Sequence, residues 1–230
     1  MPDRKRPGRA LSERKWIMGT EPVKQYYRNA ADTLISNLEK RQMEGYYCET
    51  SEEAVELILS LMPAGSSVGW GGSETLTECG LMDALKKADL KILDRKEPVT
   101  EEEQKKRYAE IFCADFFLMS TNAVTLDGEL VNIDSRGNRV SYLCYGPDHV
   151  LIVAGMNKIV SDVESGIRRV HDIAAPPNAV RLDRKTPCAA TGRCGNCLSP
   201  DCLCSQTVVT RFSYVPGRVR VILIGETLGY

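Results

Sequence analysis

The sequence lacks more than it displays. No run approaches the roughly 18 apolar residues that a membrane-spanning helix needs, and the opening MPDRKRPGRALSERK has none of the apolar stretch of a secretory signal. Neither a membrane nor an oxidising compartment is implied, and a cytosolic protein is the expectation. Charge of one sign is lacking too: 30 basic side chains face 31 acidic ones. Only two histidines occur, His149 and His171, neither beside an evident nucleophile or carboxylate, so no Ser/His/Asp arrangement is visible and both read as satisfied or solvated. Tryptophan is as scarce, and Trp16 and Trp70 are not interleaved with basic residues, which leaves nucleic-acid binding without support. No internal repeat or low-complexity tract appears. What remains, 230 residues that are 43% hydrophobic and 27% charged, suits one globular domain and excludes disorder and collagen.

Two local excesses stand against this background. Residues 1 to 15 carry six basic groups (Arg4, Lys5, Arg6, Arg9, Arg14, Lys15) against Asp3 and Glu13, and lack apolar periodicity. A solvated arm over residues 1–20 is expected, with helical patterning, and on our reading the natural start, only from Met18 onward. The second excess is cysteine. Cys188, Cys194, Cys197, Cys202 and Cys204 crowd the loop 186–206, and in a reducing compartment such crowding points to metal or redox chemistry rather than disulfides.

Between these lie alternating elements. Val23, Tyr27, Ala30, Leu34 and Leu38 recur at helical spacing over Glu21 to Glu44, with Gly45 as the stop. Thr50 or Ser51 opens a second helix that ends at Pro63, and Ser73 opens another after a glycine-rich turn. Thr100 and Glu103 are spaced as a capping box for a helix to Phe112. Short strands are expected at 46–49, before Gly69, at 89–94 and at 150–154, and ADFFLMSTNAVTLDGELVNIDS supplies a buried strand followed by a hairpin. A helix spans Asp162 to Ile173, and strands at 208–213 and 219–225 close the chain. Asp127-Gly128 between β-rich runs is a hairpin signal, predicting Leu126 opposite Glu129, Val124 opposite Val131 and Thr121 opposite Asp134. The fold expected over residues 21–230 is one α/β domain with an open, mainly parallel sheet and an inserted β-hairpin.

The turn Gly69-Trp70-Gly71-Gly72-Ser73 sits where open α/β sheets bind ligands, and Thr75 adds a hydroxyl. It is neither GxGxxG nor a Walker loop, so a tight connection capped by Ser73 is the competing reading. The hairpin register puts Thr121, Ala123 and Thr125 on one face with Leu130, Asn132 and Asp134, either walling a pocket or facing solvent. Asn122 lies beside them, and Asn157 and Lys158 follow the strand at 150–154. The cysteines run Cys188-x5-Cys194-x2-Cys197-x4-Cys202-x-Cys204, with the knuckle spacing of a metal site at Cys194 and Cys197. Cys188, Cys194, Cys197 and either Cys202 or Cys204 can hold an iron–sulfur cluster, with zinc the alternative.

VGWGGSETLTECGLMDAL, DFFLMSTNAVTLDGELVNIDSRGNRVSYLCYGPDHVLIVAGMNKIV and VRVILIGETLGY together resemble the LUD domain, the lactate-utilisation family once listed as a domain of unknown function. The resemblance implies a fold like glucosamine-6-phosphate deaminase, ribose-5-phosphate isomerase and the CoA transferases. It also implies a role linked to lactate or related 2-hydroxy acids, alongside iron–sulfur electron-transfer partners. The chain is most similar to the stand-alone, cysteine-bearing branch, whose TPC, CxxC and later Cys map onto Cys188, Cys194, Cys197 and Cys204, with Cys202 extra. A small anionic metabolite is then expected at Gly71, Gly72, Ser73 and Thr75 beside Thr121, Asn122 and Asn132, with Asn157 and Lys158 nearby. The other readings are a sugar-phosphate or folate-type enzyme with a structural zinc, using Glu74, Glu129 or Asp134 as acid or base, and a non-enzymatic electron-transfer subunit.

Overall fold

The computed structural model describes residues 21–97 and 99–230. The expectations for the basic arm, Trp16 and Met18 lie outside the described residues.

Helix α1 (Glu21–Lys40) buries Ala30, Ala31, Leu34 and Leu38. It ends earlier than its pattern suggests: the chain turns through Gln42, at φ 57°, and Gly45 lies inside β1 (Glu44–Cys48) rather than stopping the helix. Helix α2 (Ser51–Ser60) is capped by Thr50, whose hydroxyl accepts the N–H of Glu53 at 3.3 Å. Strand β2 (Ser67–Trp70) leads not into one helix but into two short ones, α3 (Glu74–Glu78) and α4 (Leu81–Leu85), separated by Cys79 and Gly80. Next come β3, reduced to Lys91–Ile92, and α5 (Glu101–Phe112), opened by the Thr100–Glu103 capping box. Strand β4 (Phe116–Met119) is buried throughout.

The hairpin follows as β5 (Ala123–Thr125) and β6 (Leu130–Asp134). Then come α6 (Asn138–Cys144), β7 (His149–Gly155), a 3₁₀ turn at Met156–Lys158, β8 (Ile159–Val160) and α7 (Val163–Arg169). The helix expected to end at Ile173 instead passes through a π-helical turn (Val170–Ala174) into α8 (Ala175–Arg181). Pro176 and Pro177 stand in the first turn of α8, where a missing N–H costs least. Helix α9 (Pro187–Thr191), β9 (Gln206–Thr210) and β10 (Val219–Ile224) complete the chain.

Six strands form a parallel sheet in the order β1-β10-β7-β4-β2-β3. Alternation along the strands sends Phe117, Met119, Val150, Ile152 and Val221 towards Leu34, Leu38 and Ile111 on one side. Leu118, Leu151, Val153 and Ile222 meet Ala54, Ile58, Leu76 and Leu81 on the other. Helices on both faces explain why the central strands are apolar runs.

A second sheet, β8-β5-β6-β9, stands beside it, so β9 pairs with the hairpin and not with β10. The expected hairpin register is off by one. Ala123 opposes Val131, and Val124 opposes Leu130, because the loop holds three residues, Leu126, Asp127 and Gly128. Gly128 adopts φ +91°, and its N–H bonds the carbonyl of Thr125 at 2.8 Å, the pattern of a turn followed by a left-handed bulge residue. A slip of one residue exchanges the faces. Asn122, Val124 and Asn132 therefore share a face, and Thr121 joins Ala123 and Val131 on the other.

Candidate functional site

The carboxyl ends of β2, β4 and β7 converge on one buried cation. Lys158, in the turn after β7, is 4% exposed, and its Nζ donates to Thr75 Oγ1 at 2.8 Å and to Ser120 Oγ at 3.0 Å. Thr75 comes from α3, after β2, and Ser120 directly follows β4. Two arginines flank the lysine. Arg139 of α6 donates to Ser120 O (2.9 Å), Asn132 Oδ1 (2.6 Å), Asn122 Oδ1 (3.0 Å) and Ile133 O (3.0 Å), which ties the hairpin to the main sheet. Arg169, at the end of α7, donates to Asn157 O and Asn122 O, and its Nη2 has no protein partner among the described residues.

Opposite charge is sparse. Asp134 lies 3.7 Å from Arg139, while neither Lys158 nor Arg169 has a carboxylate within ion-pair distance among the described residues. Burial pushes Lys158 down to about 7, and the arginines beside it act in the same direction. Asn132 is fully buried, and its Nδ2 donor is unpartnered. This buried, net-positive cluster, with spare donors on Lys158, Arg169 and Asn132, has the chemistry to pair with a small anion.

The segment after β10 borders this cradle. Asn157 brackets Leu228, accepting its N–H at 3.1 Å, and Gly229 N–H donates to Glu78 Oε2 at 2.6 Å. Gly229 has φ +60°, and a Cβ there would come within 2.5 Å of Thr75 Oγ1 and 3.4 Å of Lys158 Nζ.

Thr75, Asn132, Asn157 and Lys158 are thus brought together. Gly71 N–H bonds Leu118 O at 2.9 Å beside the Arg139 stem, Gly72 lies against Arg95, and Ser73 caps α3. Thr121 spends its hydroxyl on the carbonyls of Ala123 and Val131, and Asn122 braces Arg139 and the Ile133 N–H. All three carboxylates singled out from sequence pair with arginines: Glu74 with Arg181 at 3.0 Å, Glu129 with Arg41 at 2.8 Å, and Asp134 with Arg139. Sequence reasoning missed Ser120, Arg139, Arg169 and Gly229. None of the four carried a signal legible in the sequence, because each is placed by partners distant along the chain.

The cysteine loop lies apart from this cradle in the chain. Cys188 begins α9 with its sulfur 3.2 Å from Thr186 Oγ1, and Cys202 Sγ accepts the N–H of Cys204 at 3.2 Å. Cys204 is pushed up to about 12, first by burial and then by Cys202, Cys194 and Cys188. Cys202 thus lies beside Cys204. His171 is satisfied, its Nδ1 lying 3.0 Å from Cys194 Sγ at an open groove of about 820 Å³ that also touches Pro187, Arg193 and Asn196, whereas His149 departs from the satisfied-or-solvated expectation, its Nδ1 being buried without a hydrogen-bond partner among the described residues. His149 packs its ring on Phe116 at 5.1 Å. Among the described residues, no three His, Cys, Asp or Glu side chains are arranged to hold a metal ion, and no helix is long and apolar enough to cross a membrane.

A parallel sheet covered on both faces, with polar residues gathered at its carboxyl edge, defines an α/β protein of the Rossmann-like kind. The chain belongs to the LUD domain family, which matches residues 31–224. A DUF162 family protein from Deinococcus radiodurans, solved by crystallography, is similar in fold. It has 15% identity and a TM-score of 0.50, over 86% of this chain and 98% of that one. The eIF2B beta structure from Chaetomium thermophilum has 14% identity and a TM-score of 0.34, over 50% of this chain and 44% of that one, and carries no argument here. No curated protein matched the chain.

Proposed function

We propose that this LUD-domain protein binds a small carboxylate of the lactate or 2-hydroxy-acid class in the cradle of Lys158, Arg169 and Asn132. One observation carries the reading: Lys158 is a buried cation held by two hydroxyls and no carboxylate. Burying an amine without a counter-charge is costly, and an anionic ligand offsets that cost. The carboxylate supplies the charge, and the α-hydroxyl finds hydrogen-bond partners in Ser120, Thr75 and Asn132. Glu74, Glu129 and Asp134 each face an arginine, which favours this reading over one that needs a spare acid or base for a sugar phosphate or folate.

The second half of the proposal concerns the loop. Five cysteines within one stretch supply enough thiols for an iron–sulfur cluster, with zinc the alternative, and since no three of them are gathered as a metal site among the described residues, the loop would have to close around the group. Such a cluster, when bound, takes up and releases single electrons. No side chain in the cradle accepts hydride, so oxidation of a bound hydroxy acid requires an electron-transfer partner protein.

Calorimetric titration with L-lactate, glycolate, inorganic phosphate and ribose 5-phosphate tests the first half. Saturable binding of the hydroxy acids in preference to the phosphates is expected, and the reverse order defeats it. Anaerobic purification with iron and zinc analysis tests the second, which fails if the protein stays colourless and iron-free after reconstitution.

A further inference from the structure

We propose that Lys158 forms a covalent imine with the carbonyl carbon of a 2-oxo acid, the oxidised counterpart of the hydroxy acid, bound in the same cradle. The proposal rests on the anion-binding reading above, and adds a nucleophilic role to the lysine.

The arrangement of donors carries it. Thr75 Oγ1 directs its own proton to Leu228 O at 3.4 Å, and Ser120 Oγ directs its proton to Thr121 O at 3.3 Å. Both hydroxyl oxygens therefore face Lys158 as acceptors, at 2.8 and 3.0 Å. A neutral amine has two N–H bonds, and these two oxygens take both. Its lone pair is left in the remaining tetrahedral direction, which is the orbital a nucleophile needs. Burial, Arg169 and Arg139 oppose the ammonium form, against the opposite pull of Glu78, so the lysine that meets an anion as a cation also reaches the neutral, nucleophilic form near neutral pH.

The rest of the cradle fits the reactant. Arg169 Nη2 and Asn132 Nδ2 are the donors without partners, and they suit the carboxylate of a 2-oxo acid. Gly229 presents no side chain beside Nζ, where a Cβ would lie 3.4 Å away and meet Thr75 Oγ1 at 2.5 Å, so only a glycine leaves this side of the lysine without a further group. In the step itself the lone pair attacks the carbonyl carbon, the C–N bond forms, and the carbonyl oxygen gathers two protons and leaves as water. Amine and ketone give imine and water, with no change of oxidation state. The protonated imine is an electron sink for chemistry at the adjacent carbon, and it forms only with the oxidised partner of the pair.

The test uses the full chain with pyruvate and cyanoborohydride near pH 7.5, followed by intact-mass and peptide analysis. One reduced adduct per chain is expected, confined to the peptide holding Lys158, suppressed by excess L-lactate and absent from Lys158→Arg. Arg169→Met should slow it about tenfold, the effect of one charge-assisted hydrogen bond. An adduct spread over surface lysines, or none, overturns the imine. Calorimetry with L-lactate on the same preparation decides the underlying reading separately: lactate binding without an adduct leaves the anion site standing and removes only the covalent step. The wild-type peptide map decides the matter even if a variant fails to fold.

Discussion

The cationic cradle and the cysteine loop are built in opposite ways. The cradle draws Thr75, Ser120, Asn132, Arg139, Lys158 and Arg169 from separate elements, and each is buried or fixed by bonds to other parts of the fold. The loop from Cys188 to Cys204 comes from one stretch of chain and bonds mostly to itself, as in Thr186 with Cys188, Thr191 with Arg193 and Cys202 with Cys204. Its ties to the body include Cys204 packed near Ile133 and Val170, Ser135 Oγ donating to Cys202 O, and His171 Nδ1 against Cys194 Sγ. Leu198, at its tip, is 100% exposed. A site assembled by the whole fold stands ready without its ligand. A site assembled by one loop waits for a ligand to organise it.

The largest test of this contrast is the pH dependence of stability. Lys158 titrates near 7 in the fold, against 10.5 for an ordinary lysine, so between those values the unfolded chain binds more protons than the folded one. Stability should therefore rise with pH across that window, and the full penalty is present below it. By about 1.4 kcal/mol per unit, the wild type should gain up to about 5 kcal/mol relative to Lys158→Met between pH 7 and pH 10.5. Denaturant melts at several pH values measure this, and parallel curves would mean that Lys158 is not held as a buried, unpaired amine.

Arg139→Met should cost about 3–5 kcal/mol, because it strands four acceptors and leaves Asp134 without its cation. An unchanged midpoint would make the cradle as dispensable to the fold as the loop. Lys158→Met should keep the fold yet weaken L-lactate about 100-fold, worth about 3 kcal/mol for a charge-assisted contact in a buried site. Retained affinity would move the anion site elsewhere.

How much of this was legible depended on whether a residue's role was local. FFLM and VLIVA read as buried parallel strands from their apolar runs, and Thr100 with Glu103 announced the start of α5. Thr75 and Lys158 were singled out because they follow the strands ending at Trp70 and Gly155, and ligand residues collect at strand carboxyl ends. Arg139 and Arg169 were not, since a cation buried by partners distant in sequence looks like any surface charge. The hairpin register slipped because Asp-Gly serves two-residue and three-residue loops alike, and only the φ of Gly128 decides between them. Knuckle spacing draws attention to Cys194 and Cys197, whereas the neighbours of Cys204 are set by how α9 and the loop fold back.

The smallest expected effect is at the loop, and its smallness is the point. Cys204→Ser in metal-free protein should change stability by no more than about 1 kcal/mol, because the thiol is only half-buried and the bond to Cys202 Sγ is made by the Cys204 backbone N–H, which serine keeps. Its effect should appear only once a ligand is offered. After anaerobic reconstitution with iron and sulfide, the wild-type loop should resist proteolytic cutting near Leu198, and Cys204→Ser should be cut as fast as before. If the metal-free variant unfolds, the loop is integral to the fold as the cradle is. If reconstitution protects neither protein, the thiols gather for some purpose other than holding a cluster, and the pairing of His171 with Cys194 becomes the feature of the loop to pursue.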